Sequence, residues 1–75
     1  MEEFLEFVIK GLVDFPDEIV IVKHEADQRV LFNVQVNPLD VGKVIGKHGQ
    51  TIEAIRSVIA AGASRHGLKT AVELI

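Results

Sequence analysis

At 75 residues with no cysteine, the chain is expected to form one small domain spanning 1–75 with neither disulfides nor a thiolate metal site. Its hydrophobic fraction of 48% is enough for a core, although a domain this short gains from a second copy that covers apolar surface. Glu2 and Glu3 stand where a signal peptide would be basic, and no apolar run nears the roughly 20 residues a bilayer demands, so no membrane role and a reducing, cytoplasmic location are expected.

The formal charge of −3 weighs against a polyanion partner, because affinity for phosphates comes largely from Lys and Arg displacing counterions. Its distribution weighs the other way. Residues 1–27 carry eight acids against Lys10 and Lys23, a sum of −6, while residues 28–75 carry three acids against six bases, a sum of +3. The second part therefore holds a modest basic spot on an acidic body.

Along the chain, Phe4, Leu5, Val8, Ile9 and Leu12 recur at the spacing of one helical face, predicting a helix from about Glu3 to Val13. Gly11 weakens its last turn, and Phe15-Pro16 ends it. Ile19 to Lys23 is β-branched and apolar, and Arg29 to Val36 alternates Val30, Phe32, Val34 and Val36 with Leu31, Asn33 and Gln35, so two strands follow. The polar run Glu25-Ala26-Asp27-Gln28 between them reads as a hairpin turn. Asn37-Pro38-Leu39-Asp40 then starts a short helix, with Asn37 as N-cap, Pro38 at the first position and Asp40 near the positive end of the dipole. Val41, Val44 and Ile45 give that helix an inward stripe before Gly46 stops it. A longer helix is predicted from about Gly49 to Arg65, with Ile52, Ile55, Ile59 and Ala63 inward, closed by His66-Gly67. Lys69 to Ile75 is the last strand. The four phenylalanines all precede Gly46, and periodicity assigns most of them to the core, which leaves no aromatic platform on which bases could stack.

Between the two later helices lies Val44-Ile45-Gly46-Lys47-His48-Gly49-Gln50-Thr51-Ile52. Glycines three apart allow sharp turns and close approach of a ligand, and the following helix brings unpaired N–H groups and a positive dipole end to the same place. Paired glycines alone mark only a turn. Here the helix–loop–helix context and the order of the strands resemble the type II KH domain, in which a GXXG loop grips about four nucleotides of a single strand. The expected fold is accordingly α+β, in the order αββααβ, a three-stranded mixed sheet covered on one face by three helices. The segments Leu12-Val13-Asp14-Phe15-Pro16, Asp40-Val41-Gly42-Lys43-Val44-Ile45-Gly46-Lys47 and Ala54-Ile55-Arg56, in a chain of this length, further resemble the KhpA family of small bacterial KH-domain proteins.

That resemblance implies binding of single-stranded RNA with broad specificity, an RNA-chaperone role, self-association as a homodimer, pairing with a KhpB/Jag/EloR-type protein, and links to cell elongation and division. The residues it assigns to RNA are Gly46, Lys47, His48 and Gly49 in the loop, with Lys43, Ile45, Gln50, Ile52 and Arg56 around it. His48 departs from the family's more neutral polar residue and adds pH sensitivity, histidine being the side chain that gains charge as the medium turns mildly acidic. Set against these readings, Lys47 could be an ordinary surface lysine, and Lys43 and Arg56 could merely solubilise their faces. The small run Ala60-Ala61-Gly62-Ala63 suits either tight internal packing or a dimer face.

No cofactor or metal is expected, since His24, His48 and His66 lie in separate elements without a carboxylate cluster. Gly42 to His48 has a superficial likeness to a P-loop, but the first glycine is too close and no Ser or Thr follows Lys47; an enzyme is not expected. The competing class is a KH-fold protein-interaction module that works mainly by homo- or heterodimerisation.

Overall fold

The computed structural model describes residues 1–75. Its elements are α1 (Glu2–Lys10), β1 (Val20–Ala26), β2 (Arg29–Gln35), α2 (Val41–Ile45), α3 (Gln50–Ser64) and β3 (Lys69–Leu74), with single 3₁₀ turns at Pro16–Glu18, Pro38–Asp40 and Lys47–Gly49. The order αββααβ is the one expected. β1 pairs antiparallel with β2, β2 pairs parallel with β3, and the spatial order β1-β2-β3 leaves β1 and β3 as edges.

Alternation along β2 decides which face is covered. Val30, Phe32 and Val34 are buried and, with Val72 of β3, meet Leu5 and Ile9 of α1, Val44 of α2 and Ile52, Ile55 and Ile59 of α3 in one apolar cluster. The other face is open to solvent and carries, in register, Val20, Val22 and His24 of β1, Arg29, Leu31 and Asn33 of β2, and Lys69, Ala71 and Glu73 of β3.

The predicted boundaries shift at three places. α1 ends at Lys10 because the Gly11 amide turns back to the carbonyls of Phe7 and Val8 (3.3 and 3.2 Å), and Leu12 N–H follows to Ile9 (3.0 Å). β1 runs on to Ala26, which pairs with Arg29, so the hairpin turn is only Asp27-Gln28; Asp27 takes φ 55°, a left-handed geometry that a short polar side chain tolerates. α3 stops at Ser64, and Gly67 at φ 70° lets Leu68 N–H reach Ala63 O and Gly67 N–H reach Ser64 O, both at 3.1 Å, the paired bonds of a Schellman end.

The aromatic expectation needs correction. Only Phe32 is in the core; Phe4, Phe15 and above all Phe7, 75% exposed, are not. The apolar stripe of α1 is wider than the sheet can cover, so Leu5 and Ile9 take the buried line while Phe4 falls on its outer flank, and Phe7, two residues after Leu5, lies on the side of the helix away from that line. Ile45 likewise departs from the inward stripe of α2. Val44 is fully buried, but Ile45 is 37% exposed, because the chain turns out of the helix at the very next residue.

Asp40 is the one charged residue in the interior, with no exposed surface. Its two carboxylate oxygens accept from the amides of Asp14 and Phe15, each at 3.1 Å, and Lys43 Nζ lies 3.4 Å from Oδ1 while also contacting the Asp14 carboxylate. Burial by itself pushes the Asp40 carboxyl up. The two amides, and after them the Lys43 ammonium, outweigh that and hold it below the ordinary carboxylate range. This clamp joins the segment after α1 to the turn that opens α2, the helix from which the glycine loop hangs.

Candidate nucleic-acid interface

The loop Gly46–Gly49 is built from three left-handed residues among four. Gly46 lies at φ 78°, ψ 175°, His48 at φ 55°, ψ 26°, and Gly49 at φ 75°, ψ 10°. Gly46 closes α2 by donating to Gly42 O (2.9 Å), and Gly49 N–H donates to Gly46 O (3.2 Å). A non-glycine residue in the left-handed region is under strain, and such strain gathers at ligand clamps. Lys47 and His48 are exposed at the tip. Directly after it α3 begins, 15 residues long, with no side chain capping its N-terminus; its first-turn amides and dipole face the same solvent as Lys47 and His48.

Thr51, which the sequence reading did not select, packs its side chain against the turn at Gly46. A Cβ placed on Gly46 would stand 2.1 Å from Thr51 Oγ1 and 2.9 Å from its backbone nitrogen, whereas one on Gly49 would meet nothing. The two glycines thus answer different needs: Gly46 admits Thr51 and takes a backbone angle closed to other residues, and Gly49 supplies the angle alone. A threonine five residues after the first glycine is the only signal the sequence offered.

Of the other expected residues, Gln50 is exposed at the first position of α3, Ile52 is buried beneath the loop and Ile45 is partly open beside it. Lys43 is turned the other way, its ammonium engaged by Asp14 and Asp40. Its proton is held more firmly than in a free lysine, chiefly by the Asp14 hydrogen bond. Arg56, almost two turns into α3, donates from Nε to Val72 O (3.0 Å) and from Nη1 to Glu53 Oε1 (2.6 Å).

Arg56 thereby marks a groove that the sequence did not reveal. Between α3 and β3 runs a cavity of about 480 Å³ lined by Arg56, Ser57 and Ala60 on the helix and by residues 70–73 on the strand. Lys69 and Ile75 send their amides to Gln28 and Val34 of the β2 side. By strand alternation the peptide groups of Thr70, Val72 and Leu74 point to the free edge, as the Arg56–Val72 bond attests. The groove wall is therefore a row of backbone donors and acceptors, suited to the hydrogen-bonding edges of bases.

The charge pattern is sharper than composition indicated. Lys10, Lys23, Lys43 and Arg56 each pair with a carboxylate; Arg29, Lys47, Arg65 and Lys69 pair with none. No group of His, Asp or Glu is arranged to hold a metal ion. No phenylalanine lines the α3/β3 groove, so its aromatic content supplies no stacking surface.

A GXXG turn between two helices, beside a three-stranded mixed sheet in this element order, defines a KH domain. The sequence profile described as KhpA/KhpB, KH domain matches residues 2–74. Proteins named RNA-binding protein KhpA are similar along the chain. That of Clostridium acetobutylicum is 41% identical over 75 residues, covering 100% of both chains. That of Chlamydia pneumoniae is 39% identical over 75 residues, covering 100% of this chain and 96% of its own. That of Oceanobacillus iheyensis is 48% identical over 61 residues, 81% of each. No solved structure matched. The chain belongs to the KhpA/KhpB KH-domain family, a family of binding domains and not of enzymes.

Proposed function

We propose that this protein binds single-stranded RNA, its sugar-phosphate backbone held at the Gly46–Gly49 loop and its bases laid along the α3/β3 groove. The observation that carries the reading is the loop itself: exposed, bent through three left-handed residues, with the uncapped start of α3 behind it and an unpaired Lys47 at its tip. The name borne by the relatives points the same way. The phosphate sits against the first-turn amides, Lys47 and His48 add donors, and Ile45 offers an apolar edge beside the base. Arg56, held to Val72 O in the free protein, is within a side-chain rotation of the strand and on turning frees that carbonyl for a base. Peptide groups and phosphate contacts discriminate weakly among sequences, which favours broad specificity and an RNA-chaperone role. The family resemblance adds a KhpB/Jag/EloR-type partner, cytoplasmic action and a part in cell elongation and division. No helix is long and apolar enough to cross a membrane.

The test is a fluorescence-anisotropy titration with short single-stranded RNA, comparing the native chain with Lys47→Asp/His48→Asp. Both side chains are exposed and unbonded, so the fold should be unchanged while affinity falls tenfold or more. For the native chain, each phosphate contact adds roughly −0.7 to the log–log salt slope. Equal binding by the two proteins would remove the loop from the mechanism.

A second reading, self-association, is favoured by one observation. The outer flanks of α1 and α3 form a continuous apolar hollow lined by Phe4, Val8, Leu12, Ala54 and Val58, continuing past Met1 to Gly62. The small-residue run divides accordingly: Ala63 is in the core, Ala60 faces β3, and Gly62 borders this hollow. The hollow reaches as far as Thr51, beside Gly46 of the loop. Phe4→Asp/Val58→Asp, both at exposed positions that line the hollow, is expected to halve the mass measured by sedimentation at micromolar concentration without loss of helix content; an unchanged mass would move the interface elsewhere.

A further inference from the structure

We propose that a bound strand is gripped a second time, beyond the α3/β3 groove, by Arg29 and Lys69 on the open face of the sheet. The inference rests on the RNA reading and extends it to a longer footprint. Arg29 and Lys69 are register partners in the parallel β2–β3 pair, both exposed, and alternation puts both side chains on the face that no helix covers. Like charges set side by side on a sheet repel. Neither forms an ion pair with a carboxylate, although half of the chain's cations do.

The route to them is open. The cavity of about 460 Å³ containing Arg29 and Lys69 also takes in Thr70, Ala71 and Glu73, three residues that line the α3/β3 groove as well; the two depressions share the β3 edge. Ala71, with its single methyl, is the low point of that edge between Lys69 and Glu73. Glu73 repels phosphate at the end of β3 nearer the Arg56 contact, which sends a crossing strand toward Lys69. A second depression lined by Arg29, Lys69, Gln28, Gly67 and Asp27 continues past the hairpin turn. The unpaired cations on this path thus stand at its two extremes, Lys47 where α3 begins and Arg29 with Lys69 where β3 begins. A phosphodiester strand, with negative charge at every step, can meet cations at both ends of such a path.

The experiment compares single-stranded RNA of roughly four nucleotides, the length a GXXG loop grips, with RNA about ten nucleotides long. Both are titrated at several salt concentrations against the native chain, Arg29→Gln/Lys69→Gln and Lys47→Asp/His48→Asp. Glutamine removes charge and repulsion together, so the first variant should melt no lower than the native chain, and the short RNA reports its fold independently. It is expected to bind the short RNA as the native chain does, to bind the long RNA several-fold more weakly, and to show a long-RNA salt slope shallower by about 1.4. The loop variant should weaken on both lengths. Native affinity of the glutamine variant for the long RNA, or an equal loss on both lengths, overturns the second grip while leaving the loop reading intact. Failure of the native chain to bind either RNA overturns both.

Discussion

Asp40→Ala is expected to lower the melting temperature by more than about 10 °C, since a small domain has little stability to lose. The carboxylate is fully buried and serves three donors at once: the amides of Asp14 and Phe15 and the ammonium of Lys43. Alanine takes the acceptor from two amides whose bonds to Asp40 are part-buried, and a donor orphaned away from water is more harmful than the loss of a solvent-exposed bond. Asp40→Asn keeps the shape but turns an NH₂ group toward an N–H, and is expected to recover only part of the loss. The pH dependence has a definite sign. Because the folded carboxyl is held below its ordinary value, its contribution is present in full above the unfolded carboxylate range, around pH 4, and disappears as pH falls through the lower folded value. Thermal melts followed by circular dichroism from neutral to acid pH should show the native chain losing stability below about pH 4, with a shallower loss in Asp40→Asn. Parallel acid profiles for the two would remove Asp40 from that role.

The second large effect is expected at Gly46. Its φ and ψ lie in a region essentially reserved for glycine, where any other residue costs of order 1–3 kcal/mol, and the added methyl would overlap Thr51 down to its backbone nitrogen. Gly46→Ala must therefore displace the start of α3 or unbend the turn. We expect a melting temperature lowered by roughly 10–20 °C and RNA affinity reduced tenfold or more, equivalent to about 1.4 kcal/mol. Gly49→Ala is the control. It meets open space and bears only the left-handed penalty, roughly 1–2 kcal/mol, so it should be the milder of the two in both measurements. Equal effects at the two glycines would mean that the Thr51 contact does not set the loop.

Much of this was legible in the chain, and the reasons differ by residue. Ile52, Ile55, Ile59 and Ala63 recur along a long helix, and all four are buried; Val30, Phe32 and Val34 alternate along a strand, and all three are buried. In both cases a local period suffices, because one face of a long element must be covered. Asp40 was read as a helix-start acid, since its burial depends on amides 25 and 26 residues earlier in the chain, and no period encodes a contact of that range. Phe4 belongs to the predicted stripe yet is exposed, for a related reason: amphipathicity predicts a covered face without giving its width. Lys43 and Lys47 look alike in sequence, yet one is folded against two acids and the other is free at the loop tip. Asp14, the residue that separates them, lies 29 positions from Lys43.

The loop also occupies a particular place in the topology. Residues 36–68 form the single crossover that brings β3 alongside β2, and the bend at Gly46–Gly49 lies in the first half of that span, between α2 and α3. The final strand can dock only after this connection has doubled back on itself. A ligand that seizes the bend therefore fastens the last strand of the sheet as well, and hydrogen exchange at Ala71 and Glu73, distant from the loop, should slow when RNA is added.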